Sequence, residues 1–122
     1  MKLPRPKEAS VQAQVLAYLR LCGCLPVRVN SGALYGGTTA AGKKRFVRFN
    51  SEPGCSDVLA CVPVPGRPAV FVAIEVKRPG EHATPEQSLF LERVRAAGGA
   101  AAVVRSVEDV RDVLRSLGAY AA

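Results

Sequence analysis

The stretch "VLACVPVPGRPAVFVAIEV", residues 58–76, constrains the fold more than any other part of the chain. Two β-branched apolar runs meet at Pro63, Pro65, Gly66 and Pro68, a dense block of turn formers. The runs read as strands and the block as the turn that folds one back on the other. Closure there sets Asp57 opposite Glu75, within a residue or so. Directly opposed Cβ atoms in an antiparallel pair lie about 4.5–5.5 Å apart. Glu75 and Lys77 are two apart, so they share a strand face, while Val70, Val72, Ile74 and Val76 take the other. A charge at the end of a core strand is costly unless it is paired or bound to a metal. One reading is a local Glu–Lys ion pair at a sheet edge; the other is a functional site.

The remaining segments supply the other layers. "PKEASVQAQVLAYLRLCG" predicts a helix over about residues 7–21, with Pro6 before it and Gly23 after it. Its apolar stripe is Val11, Val15, Leu19 and Cys22, and Glu8 falls on that stripe. The macrodipole accounts for an acid in the first turn but not for its inward direction. "LPVRVNSG" is a short strand, and "ALYGGTTAAGKKRFVRFN" a hairpin or a long irregular loop. Thr84, Pro85 and Gln87 open a second helix as N-cap, N1 and N3, and Gly98 and Gly99 close it. "AAAVVR" is a further strand. "SVEDVRDVLRSLG" is the last helix, capped by Ser106, with Val107, Val110, Val113, Leu114 and Leu117 facing inward. Strand, helix, strand, helix implies a right-handed crossover onto a mixed sheet.

The 122 residues suit one domain, 1–122, and an apolar content of 48% excludes a disordered chain. No apolar run reaches transmembrane length and the N-terminus has no signal-peptide core, so a soluble, cytoplasmic protein is expected, with no membrane and no small-molecule cofactor. Cys22 and Cys24 are spaced C-x-C, Cys55 and Cys61 C-x₅-C; paired zinc knuckles are absent and partly buried reduced thiols are expected. Seventeen Lys and Arg against ten Asp and Glu give +7, which suits a polyanionic partner.

Glu8, Asp57 and Glu75 together form an oxygen-ligand set suited to Mg²⁺ or Mn²⁺. Lys77 beside them supplies positive charge for a phosphate in its transition state. Gln87 has a complete structural explanation in a capping box, yet its position also lets its amide reach Lys77 or an attacking water. His82, the sole histidine, lies in a loop and is not needed as a base. Lys43, Lys44, Arg45 and Arg48 interleave with Phe46, Val47 and Phe49, a phosphate clamp or a solvated charge run; Arg78 extends the basic set beside the acids.

The ordered set of an acid on the first helix, "GCSD", "IEVKRPG" and "TPEQSLFLERVRAAGGAAAVV" resembles the VRR-NUC branch of the PD-(D/E)XK nucleases over nearly the whole chain. Ser56 stands where that family carries an apolar residue or proline before the aspartate, and the carboxylate stays in place. The resemblance implies the restriction-endonuclease-like fold, an αβββαβ core around a mixed sheet. It implies metal-dependent DNA hydrolysis with metal ligands Glu8, Asp57 and Glu75, and with Asp57, Glu75, Lys77 and Gln87 as the catalytic set. For a short chain it implies a homodimer acting on branched DNA, four-way junctions first, with a flap- or nick-directed nuclease or a non-cleaving DNA-binding module as alternatives. Two symmetric cuts at a junction also call for two sites related by a two-fold axis.

Overall fold

A computed structural model describes residues 7–29, 33–48 and 50–122, with side chains described at all of these except 33–36 and 45–48. The elements in chain order are α1 (Glu8–Leu21), β1 (Leu25–Arg28), β2 (Ala33–Thr38), β3 (Lys44–Arg48), β4 (Val58–Val64), β5 (Arg67–Val76), α2 (Pro85–Ala96), β6 (Ala100–Val104) and α3 (Val107–Ser116). The α/β, restriction-endonuclease-like architecture is present: a four-stranded mixed sheet in the order β1-β4-β5-β6, flanked by helices. β2 and β3 form a separate antiparallel ribbon, so the segment at 33–48 is a hairpin.

Local chemistry explains the boundaries. Thr84 accepts from the Gln87 amide at 3.2 Å while Gln87 Oε1 accepts from the Thr84 amide at 2.8 Å, a complete capping box. Ser106 Oγ accepts from the Asp109 amide at 3.2 Å and starts α3. All three helices end alike. Gly23, Gly98 and Gly118 take positive φ, and the residue after each donates back to Leu19, Val94 and Leu114, a Schellman closure. β5 enters the sheet through the proline-rich turn and pairs antiparallel with β4, with Val58 opposite Ile74 and Val62 opposite Val70. It pairs parallel with β6 after the α2 crossover, from Val72 opposite Ala100 to Val76 opposite Val104.

The strand alternation divides the core in two. Val72, Ile74 and Val76 face α1 and α3, packing with Val11, Val15, Leu19, Val110 and Leu114. Ala73 faces α2, packing with Cys55, Phe90, Leu91 and Val94. Each fully buried Val or Leu contributes roughly 1.5–3 kcal/mol. The stripes expected on α1 and α3 are the faces that are buried. Of the cysteines, Cys22, Cys24 and Cys55 are buried and Cys61 is exposed, all as free thiols. Among the described residues no helix is long and apolar enough to cross a membrane.

Candidate active site

The site forms where β4 runs out and β5 continues. Since Val58 pairs with Ile74, the next pair outward is Asp57 and Glu75. Val76 has lost its strand partner on that side, and its amide donates instead to Asp57 Oδ2 at 2.8 Å. The carbonyl of Asp57 accepts from the Val29 amide at 2.8 Å. Asp57 is therefore gripped by both neighbouring strands, through its backbone on one side and its carboxylate on the other. On the far side of β5, the Lys77 amide donates to the Val104 carbonyl at 2.9 Å, which carries the parallel ladder one residue past Val76.

Glu75 is buried, 1% exposed, and its Oε2 has no hydrogen-bond partner. Lys77, 9% exposed, lies with Nζ 3.9 Å from Glu75 Oε1, too far for a hydrogen bond but close enough for attraction. Burial pushes the Glu75 carboxyl up to about 8; the charge of Asp57 and a proton shared with it add to the rise, Lys77 opposes it, and Glu8 adds the smallest contribution. With both carboxyls ionised neither can donate to the other, which leaves Oε2 an acceptor without a donor. A buried, unpartnered carboxylate oxygen beside a second carboxylate is the environment that a divalent cation neutralises. The donor chemistry of Asp57 and Glu75 fits a hard, oxygen-seeking ion. Glu8, half-buried in the first turn of α1, is near enough to act on Glu75 electrostatically. Among the described residues, however, no three His, Cys, Asp or Glu side chains stand together as a ready ligand cluster.

The other expected positions fall around this centre. Gln87 Oε1 is engaged in the capping box, which is the structural one of its two readings. Arg78, its side chain 40% exposed, pairs with Glu81. His82 is exposed in the loop before α2. Lys43 and Lys44 are exposed at the start of β3. The side chains of Arg45 and Arg48 lie outside the described residues.

A clamp that sequence reasoning missed holds the segment leading into Asp57. Gly54 has φ +74°, and a Cβ there would lie 2.3 Å from the backbone oxygen of Glu86 and 2.8 Å from the Gln87 amide nitrogen. Glu52 Oε2 accepts from Arg93 Nη1 at 3.1 Å, and Cys55 is buried against Phe90, Leu91 and Val94. Burial, then the charges of Glu75 and Glu52, push the Cys55 thiol up. The signal available in the sequence was the glycine of "GCSD", three positions before the acid.

A carboxylate pair and a lysine at the end of a mixed sheet, with a helix on the first acid's flank, define a nuclease of the PD-(D/E)XK-like fold. The VRR-NUC domain family matches residues 7–108, and the chain belongs to that family. Membership makes it a nuclease with DNA as substrate. Neither the curated proteins nor the solved structures gave a match.

Proposed function

We propose that this chain is a metal-dependent, structure-selective endonuclease that works in the cytoplasm as a homodimer on branched DNA, with four-way junctions as its leading substrate. The observation that carries the metal dependence is Glu75, buried at 1% exposure with Oε2 unpartnered beside Asp57. Mg²⁺ or Mn²⁺ would be held by Asp57 and Glu75, with Glu8 completing the charge balance; when bound, the ion supplies Lewis acidity toward the phosphoryl group. Glu75 and Asp57, fixed by their two strands, orient the attacking water for in-line approach. Water oxygen bonds to phosphorus as the phosphorus–oxygen bond to the leaving sugar breaks, so one end keeps the phosphate and the other gains a hydroxyl. Lys77, held at its backbone by Val104, places positive charge where the phosphate gains negative charge. Gln87 keeps one amide group free of the cap and is assigned to orient the water or Lys77. Lys43, Lys44, Arg45, Arg48 and Arg78 are assigned to backbone phosphates, in keeping with the +7 charge.

The test is cleavage of labelled four-way junctions, flaps and nicked duplexes with Mg²⁺ or Mn²⁺, with and without chelator. Junction products that vanish with chelator are expected. Lys77→Ala is expected to lower kcat by about 10²–10³-fold with little change in junction affinity. Preference for flaps or nicks moves the substrate assignment, and binding without cleavage under every metal makes the chain a DNA-holding module.

A further inference from the structure

We propose that the uncovered apolar face of the four-stranded sheet is the surface on which a second copy of this chain docks; this rests on the homodimeric nuclease reading and supplies its interface. α2 covers only part of the face it packs on. Beyond it, Leu25 on β1, Cys61 on β4 and Phe71 on β5 stand in one row across three strands, paired Leu25 to Cys61 and Cys61 to Phe71. Val27 and Leu59 form the next row. Leu25 is 69% exposed, Val27 55% and Phe71 50%. Large apolar side chains gathered in one patch on a soluble domain mark an interaction surface, where single exposed ones do not.

Charge and shape point to a copy of the same chain. The chain carries +7, so two copies repel wherever basic surfaces meet. These two rows carry no charge, and Arg93 at their margin is already paired with Glu52 at 3.1 Å. A neutral face offers nothing to a nucleic acid backbone, while it lets two basic chains approach without opposed charges. The patch also holds both halves of a self-complementary fit. Phe71 projects between an apolar hollow of about 300 Å³, lined with Leu25, Val27, Leu59 and Cys61, and a groove of about 660 Å³ beside α2, lined with Val94, Ala97, Gly99 and the ion-paired Arg93. A two-fold axis over the patch sets each copy's Phe71 into the other's groove, an isologous contact. Strand addition at the β1 edge is disfavoured, because Pro26 removes a donor there. The farther row, at position 61, lies four residues along the strand from Asp57 and the nearer row, at Leu59, two, roughly 13 Å and 7 Å at about 3.3 Å per residue, so both active sites sit at the margin of the contact.

Sedimentation of the full chain at micromolar concentration, with Leu25→Glu and Phe71→Glu alongside, tests the interface; both positions are exposed, and circular dichroism checks that the variants fold. A dimeric parent and monomeric variants are expected, the dimer dissociation constant rising by at least about thirtyfold. A dimer that persists in both variants overturns the proposal, as does a monomeric parent, which leaves the face to an occupant of another kind. A monomeric parent that still cuts junctions overturns the interface and the homodimer together and upholds the nuclease activity. A dimer lost in the variants, from a parent that cleaves nothing with any metal, upholds the interface and overturns the nuclease activity proposed above.

Discussion

Glu75 is the residue on which stability and chemistry pull in opposite directions. Its carboxyl is raised to about 8 from an ordinary value of 4.5, chiefly by burial. The folded chain therefore holds a proton that the unfolded chain releases between those values. The stability this contributes is fully present below 4.5 and is lost as pH rises toward about 8. In chelator, the urea midpoint is expected to fall across that window, and Glu75→Gln to flatten the fall; a midpoint rising with pH in the parent would contradict the burial of an unpaired acid. The glutamate's place beside a lysine was legible from strand alternation alone. Its protonation was not, because desolvation depends on the α2 layer and on Asp57, both distant in sequence. Ser56 Oγ is likewise buried without a partner, and nothing in the structure explains it.

At the scale of elements, the loop at 50–57 and helix α2 act as one unit. Gly54 lets the backbone pass so close to the first turn of α2 that no side chain fits, and its positive φ excludes an unstrained alanine. Gly54→Ala is expected to cost about 1–3 kcal/mol of stability by urea unfolding. Cleavage is expected to fall further than after Glu52→Ala, which breaks only an exposed ion pair worth about 0–1 kcal/mol. Equal losses from both substitutions would show that the close approach does not set the position of Asp57. The ends of α2 and α3 were legible because caps are written in adjacent residues: Thr84 with Gln87, Ser106 with the first turn of α3, glycine after each last turn. The docking of the loop on α2 was not, since it joins segments thirty residues apart whose only shared mark is one glycine. The β2–β3 segment was legible as a hairpin or a loop, and the pairing of Ala33 with Arg48 decides for the hairpin.

For the whole molecule, the question is how a small basic chain engages its polyanion. The alanine substitution of Lys43, Lys44 and Arg45 is expected to weaken DNA binding and to reduce the slope of log affinity against log salt by about one unit per lost phosphate contact. An unchanged slope would show that the hairpin does not touch the backbone. The net charge of +7 was legible by counting, but the neutral face was not. Leu25, Val27, Cys61 and Phe71 alternate along their strands as core residues do; only the extent of α2 leaves them uncovered. The two pairings of β5 differ in reach along the chain. Its antiparallel partner β4 precedes it by one tight turn, while its parallel partner β6 arrives after an entire helix. The two acids thus meet by a short-range closure, and the amine's anchor at Val104 waits for a long-range one, which is the slower event in a nascent chain. A polypeptide truncated within α2 would lack the Val104 carbonyl that tethers the backbone of Lys77.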